Sequence, residues 1–298
     1  MITVGVDLAT EPAKTAMAVL RWSVTGAAVQ SLVLDVDDAA ITNAATHADK
    51  LGIDCPLGWP DDFLLFLQEH HAGQVVAPQE VAGRDWRRKL AYRATDRAVR
   101  ERTGLTPLSV AADRIGLTAM RAAGILSRLA AEGRPVDRAG NGIVVEVYPA
   151  ASLRCWGLPF RAYKGGNRRA AREALIGALL KRTPWLDLGA YVDLCADSDD
   201  ALDAVIAALT SRAAALSNTS TPDEAQTPAA TSAPRGVDRA TRSTTRITRG
   251  ALPPRSRRLL NVARSTMIGV APPGMAALPR LELMLARNNA DWHAATAC

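Results

Sequence analysis

The chain has 298 residues, of which 48% are hydrophobic and 22% charged, so it is long and apolar enough to bury a sizeable core. No apolar stretch reaches the roughly 18 residues that a membrane helix needs. Asp7 and Glu11 stand where a signal peptide would be basic, so we expect a cytoplasmic protein with no membrane contact. The four cysteines are scattered without a C-x-x-C pair, which predicts reduced thiols and argues against a zinc site.

The net charge of +6 belongs to one end of the chain. Residues 217–298 contain 11 arginines and 5 acidic residues, whereas the basic and acidic residues before position 217 cancel. Residues 218–254 are rich in Thr, Ala, Ser, Pro and Arg and lack the apolar surface that would offset the entropy of ordering. We therefore predict one folded domain over residues 1–216 and a basic, mostly disordered tail over 217–298.

The first part of the chain predicts a mixed sheet. A strand that ends at Asp7, a second over residues 15–24 and a third over 28–36 predict an antiparallel meander. A short helix over residues 38–49 follows, and then a brief strand that ends at Asp54. This order of elements indicates an α/β domain with mixed strand pairing.

The pattern from about residue 60 to 140 is helical and predicts an insertion in the sheet domain. Helices are predicted from Pro60, over residues 84–102 and over 113–132. A further strand is predicted over residues 142–148. Two apolar stripes at helical spacing then predict two more helices, the second with Ser198 as its N-cap: Leu175, Ile176, Leu179 and Leu180; Leu202, Val205, Ile206 and Leu209.

Acidic residues stand in apolar surroundings on four of these elements, and such a set predicts a carboxylate cage for hard divalent cations. Taken singly, Asp54 is typical of a cap or turn, and Asp200 suits the positive end of a helix dipole. Glu146 lies inside a strand that reads as buried, where either a partner or a metal would offset the unfavourable free energy of its charge. Asp203 lies one turn after Asp200, beside the apolar stripe.

The order of these acids is similar to that in metal nucleases of the ribonuclease H-like fold. The motifs around them follow in this order: Gly5-Val6-Asp7-Leu8-Ala9, Ile53-Asp54-Cys55-Pro56-Leu57-Gly58, Arg93-Ala94-Thr95-Asp96, Asp113-Arg114-Ile115-Gly116, Val145-Glu146-Val147-Tyr148-Pro149, Tyr163-Lys164 and Asp200-Ala201-Leu202-Asp203-Ala204. Over about residues 3–216 they resemble the domain of unknown function 429 family, generally regarded as predicted nucleases of the ribonuclease H-like superfamily.

The resemblance implies a ribonuclease H-like mixed five-stranded sheet flanked by helices and a metal-dependent nuclease that hydrolyses phosphodiester bonds of DNA or RNA. It implies one or two Mg²⁺ or Mn²⁺ ions, which would activate the attacking water and stabilise the leaving oxygen. Asp7, at the sheet centre, would bridge two ions. The implied metal ligands are Asp7, Asp54, Glu146, Asp200 and Asp203, and the implied catalytic residues are Asp7, Glu146 and Asp203.

Basic residues offer contacts for a nucleic-acid backbone. Lys89, Arg93, Arg97 and Arg100 fall on one face of the helix predicted over residues 84–102. The same residues fit a solvated helix in which Asp96 pairs with Arg93 or Arg100. Lys164 and Arg168 belong to a glycine-containing loop before a helix, where an anion could bind.

Two other functions remain open. An actin-like ATPase or sugar kinase shares the fold and the motif around Asp7, but neither a second phosphate loop nor a glycine-rich adenosine site is found in the sequence. A catalytically silent nucleic-acid-binding module would keep the carboxylates as structural groups. Replacement of Asp7 separates the alternatives, because an enzyme loses turnover with its fold intact and a structural role predicts a lower melting temperature.

Overall fold

The computed structural model describes residues 1–76, 83–110 and 112–216. The tail predicted over residues 217–298 lies outside this part of the chain. The described residues form a mixed α/β structure around a six-stranded sheet with the order β5-β4-β1-β2-β3-β6. The strands are β1 (Ile2–Asp7), β2 (Ala16–Trp22), β3 (Ala27–Leu34), β4 (Lys50–Asp54), β5 (Val144–Glu146) and β6 (Leu186–Asp187).

The pairing of the strands confirms the predicted meander and the mixed sheet. β2 runs antiparallel to both β1 and β3, whereas β4 is parallel to β1 and β5 is parallel to β4. Five strands were expected from the sequence, and the sheet has a sixth, β6, parallel to β3. β6 has two residues, which is too short for the alternation that marks a strand in the sequence.

Nine α-helices surround the sheet in the described part of the chain. They are α1 (Asp38–Thr46), α2 (Asp61–His71), α3 (Gly83–Ala91), α4 (Ala94–Thr103), α5 (Leu117–Ala131), α6 (Pro149–Cys155), α7 (Arg169–Arg182), α8 (Val192–Asp197) and α9 (Asp199–Ala215). Ser198 caps α9 as predicted, because its side chain accepts a hydrogen bond from the backbone N–H of Ala201. None of the helices described is both long and apolar enough to cross a membrane.

The prediction of one long helix over residues 84–102 is wrong, because the structure has two helices, α3 and α4, with a break between them. Arg93 has extended backbone torsions and precedes α4, where Asp96 accepts a hydrogen bond from its backbone N–H at 2.8 Å. Its side chain bonds to Asp96 and Glu146 instead of facing solvent. The single cationic face of Lys89, Arg93, Arg97 and Arg100 therefore does not exist.

The two faces of the sheet are covered differently. Alternate residues of β1 and β4, among them Val6 and Ile53, join one core cluster with Ile41 of α1 and Ile125 of α5. The residues between them face α9. Gly5 lies so close to α9 that a methyl group there would collide with the backbone of Ala204 and Ala208. α9 therefore lies directly on the sheet, with no side chain as a spacer at this point.

Two glycine-to-alanine substitutions should have opposite effects on stability, because Gly5 lies against α9 and Gly124 lies in open space. Gly5→Ala should destabilise the protein by about 3 kcal/mol or more, because backbone must move to admit the methyl group. Gly124→Ala, inside α5 with nothing within 4 Å of the added carbon, should stabilise it by about 0.5–1 kcal/mol through helix propensity. Urea denaturation measures both values, and a neutral Gly5→Ala variant would contradict the described packing.

Candidate functional site

Three aspartates come together where the sheet meets α9. Asp7 and Asp54 are register partners at the ends of the parallel strands β1 and β4. Side chains alternate along a strand, so both lie on the side of Gly5, toward α9. Asp203, on α9 beside Ala204, is 0% exposed. The three carboxyl groups are close enough for the charges of Asp54 and Asp203 to raise the pKa of Asp7.

Burial sets the electrostatics of this three-aspartate cluster. It is the largest cause of the raised pKa of each member, and the mutual repulsion of the carboxylates adds to it at Asp7 and Asp54. The pKa of Asp54 is raised to about 7, and that of Asp7 lies well above its ordinary value. The cluster therefore favours a proton or another cation over three bare negative charges.

Tyr163 and Lys164 bind the two oxygens of Asp203. The hydroxyl of Tyr163 donates to Oδ1 at 2.8 Å, and the Nζ of Lys164 lies 2.6 Å from Oδ2. The ammonium group and this carboxylate thus form a short ion pair that includes a hydrogen bond between the two side chains. Lys164 also lowers the pKa values of Asp7 and Asp54 against the effect of burial, so its charge acts on the whole cluster.

Arg172 holds the loop that carries these two residues. It is 0% exposed, and its guanidinium donates to the carbonyl oxygens of Tyr163 at 2.9 Å and Gly165 at 2.7 Å. The same group donates to the carbonyl oxygens of Ala196 at 2.7 Å and Asp197 at 3.0 Å, at the end of α8. One buried cation therefore fixes the loop against the chain that leads into α9.

Glu146 lies in a second ion cluster next to the aspartates, and its charge contributes to the raised pKa of Asp54. It is 6% exposed and receives two hydrogen bonds of 2.7 Å from the guanidinium of Arg93. Arg93 also binds Asp96 at 2.7 Å, and the backbone N–H of Leu57 donates to Glu146 at 2.9 Å. A partner thus offsets the free energy of burying Glu146, and the predicted pairing of Asp96 with Arg93 is present.

The other residues predicted from the sequence lie nearer the surface. Asp200 is partly exposed, and its pKa is raised by burial and by the charge of Asp199. The exposed side chains among the expected phosphate contacts are Lys89, Arg97, Arg100, Lys164 and Arg168. The structure brings Lys164 alone of these into contact with the three-aspartate cluster.

Two contributors to the cluster were missed as site residues in the sequence. Tyr163 was noted as part of a motif without a role, and Arg172 was not singled out. A signal for Arg172 exists, because it lies three, four and seven residues before Leu175, Ile176 and Leu179 of the buried stripe of α7. A charged residue in phase with a buried stripe needs internal partners.

The carboxylates are not preassembled as a metal centre. Across residues 1–76, 83–110 and 112–216, no three His, Cys, Asp or Glu side chains are grouped as metal ligands. The donor type nevertheless suits a hard divalent cation, since all three members of the cluster are carboxylates. The Oδ2 atom of Asp203 already has a cation beside it, the ammonium group of Lys164 at 2.6 Å.

Comparison with protein families finds one match. Residues 5–227 match DUF429, a family described as a protein of unknown function. No curated protein and no solved structure matches the chain.

Loss of Arg93 should be costly for stability, because it leaves two buried carboxylates without their cation. Arg93→Met should lower the free energy of unfolding by about 3–5 kcal/mol. The matched variant Arg97→Met removes an exposed arginine from the same helix and should change it by no more than about 0.5 kcal/mol. Urea denaturation compares them, and equal stabilities would show that the Arg93 cluster is not formed.

The raised pKa of Asp54 predicts how metal-free stability depends on pH. Folded Asp54 holds its proton up to a pKa of about 7, whereas the unfolded residue releases it near 3.8. The folded state therefore binds more protons between these values, and stability should fall as the pH rises through this window. Asp54→Asn should reduce the decline, as measured by urea denaturation with a chelator; an unchanged slope would contradict the raised pKa.

Proposed function

The chain belongs to the DUF429 family, and we propose that its three-aspartate cluster is the centre of a metal-dependent phosphodiesterase that acts on nucleic acid. The observation that carries the proposal is the convergence of three carboxyl groups at the junction of β1, β4 and α9, with Asp203 buried, Asp7 and Asp54 partly buried, and the pKa of each raised. Such a cluster opposes stability unless a cation binds there, which is the pattern of a functional site.

Asp7, Asp54 and Asp203 are the residues that would hold one or two Mg²⁺ or Mn²⁺ ions. Bound there, a divalent ion would polarise a phosphodiester and lower the pKa of water. Asp7 lies at the end of β1, an inner strand of the sheet, and the charges of both other aspartates act on it. The hydroxyl of Tyr163 orients Asp203 by its bond to Oδ1 and leaves Oδ2 for the cation.

Glu146 and Asp200 take other roles in this proposal. Glu146 braces the site, because its bonds to Arg93 and to the backbone of Leu57 join the end of β5 to the segment after Asp54. Both of its oxygens already accept hydrogen bonds from the guanidinium of Arg93, so we omit it from the ligand set. Asp200, one turn before Asp203 and partly exposed, lies where it can influence the cluster by charge alone.

Exposed arginines on α4 support a nucleic acid as the substrate. α4 begins next to Arg93, which contacts Glu146 at the edge of the sheet that also bears the aspartates. Arg97 and Arg100 lie about 6 and 10 Å farther along this helix. Both are exposed, so they could contact the backbone phosphates of a nucleic acid bound at the carboxylates.

The order of the strands supports the ribonuclease H-like interpretation. An antiparallel meander is followed by two parallel strands on the far side of β1, and the acids lie on β1, on β4 and on the last described helix. The resemblance implied acids on the first strand, on a later strand and on the last helix, and this order is consistent with the proposal.

A catalytically silent binding module is the second candidate, and one contact favours it. The ion pair of Lys164 with Asp203 supplies a positive charge from the protein itself. If that pair is permanent, the carboxylates are structural and the exposed arginines are sufficient for binding.

Cleavage assays distinguish the two candidates. Wild-type protein with Mn²⁺ or Mg²⁺ should cleave at least one of labelled single-stranded, duplex, hybrid or branched substrates, and Asp7→Asn should lower the rate by about a thousandfold or more. Metal-free Asp7→Asn should be at least as stable as wild type, because asparagine carries no charge into the buried cluster.

Asp35→Asn is the matched control for these assays. Asp35 is exposed after β3 with a φ of 56°, a left-handed conformation that asparagine also tolerates. Its cleavage rate should equal that of wild type. Absence of cleavage by folded wild-type protein on every substrate would overturn the nuclease, and a less stable Asp7→Asn variant would favour the structural role.

A further inference from the structure

Lys164 reaches the buried cluster from the protein surface. Its side chain is 53% exposed, yet its Nζ lies 2.6 Å from the Oδ2 atom of Asp203, whose side chain is 0% exposed. Its charge extends to Asp7 and Asp54. Lys164 therefore supplies, at the mouth of the cluster, a positive charge of the kind that buried carboxylates need.

We propose that Lys164 is an exchangeable counter-ion of the three-aspartate cluster. Its ammonium group contacts Asp203 when no divalent cation is present and leaves this carboxylate when such a cation binds. The inference rests on the proposed function, because it takes the cluster to be a cation site. It states how access to that site is regulated: the metal competes with a side chain of the protein itself.

The backbone around Lys164 is held, so the exchange is a rotation of one side chain. Arg172 binds the carbonyl oxygens of the residues on either side, Tyr163 and Gly165. The hydroxyl of Tyr163 keeps its bond to Oδ1 of Asp203 at 2.8 Å. At Oδ2, therefore, the cation replaces the ammonium group as the partner.

Charge and hydration favour the exchange. A divalent ion carries twice the charge of the ammonium group into a cluster of three carboxylates. The released side chain is already half exposed, so its charge regains water without any unfolding. The ion pair that it gives up joins Nζ to the Oδ2 atom of Asp203 at 2.6 Å. The pair nevertheless lowers the apparent metal affinity in proportion to the time that it is formed.

Metal titration tests the competition. If the pair is formed roughly nine-tenths of the time, Lys164→Met should bind Mn²⁺ about tenfold more tightly than wild type, as measured by isothermal titration calorimetry. Lys181→Met is the matched control: it removes the same charge from the exposed far end of α7, about 18 Å along the helix from the loop. Its affinity for Mn²⁺ should equal that of wild type.

Chemical labelling of the wild-type protein tests the movement without any substitution. Although burial lowers the pKa of Lys164, the charges of Asp203, Asp54 and Asp7 raise it more, and the paired amine is protonated and unreactive. Mn²⁺ should therefore increase acylation of Lys164 severalfold, read by mass spectrometry, and leave Lys181 unchanged. Asp7→Asn, which loses a ligand, should show a smaller increase at the same Mn²⁺ concentration.

The outcomes separate this inference from the proposed function. Equal Mn²⁺ affinities of wild type and Lys164→Met would overturn the exchange and leave the cation site standing. Tighter binding by the variant with unchanged acylation of Lys164 in wild type would also overturn it, because loss of a nearby positive charge would explain the affinity alone. Failure of both proteins to bind Mn²⁺ would overturn the exchange and the proposed function together.

Discussion

The contact between Gly5 and the backbone of α9 is the constraint on which the rest of the site depends. No side chain separates the helix from β1 at this point, and Gly52 on β4 allows the same approach near Ser211. The helix bears small residues where it meets the sheet. Asp203 is therefore carried into the same layer as the aspartates at the ends of the two strands. The packing alone buries Asp203 fully and Asp7 and Asp54 in part.

Two buried acidic groups on neighbouring elements are neutralised in physically different ways. Glu146 meets the planar guanidinium of Arg93 through two parallel bonds, and both partners are almost fully enclosed. Asp203 meets the point charge of Lys164, whose side chain is half exposed. A guanidinium fork suits a permanent brace, whereas a lysine whose stem remains in water suits a charge that can leave. This difference supports a structural role for Glu146 and the proposed exchange of cations at Asp203.

The sequence predicted those parts that follow from local patterns. Apolar runs that end in Asp7 and Asp54 predicted strands in the right order, and the stripe beside Asp203 predicted α9 with its cap. β6 and the break before α4 were missed, because pairing with a distant strand or acid decides them. The acids were found as candidates, but spacing alone could not show that Glu146 has an arginine partner.

Arg172 explains why the surroundings of Asp203 could not be predicted from the sequence. Its four hydrogen bonds go to backbone carbonyl oxygens, and Asp199 at 3.7 Å is its one ion-pair partner among the described residues, so residue types reveal little of what it holds. The same guanidinium holds the loop with Lys164 and the end of α8, one residue before the cap of α9. One buried cation thus positions both partners of the Lys164–Asp203 pair. The pair can open by rotation of the Lys164 side chain while the backbone on both sides stays in place.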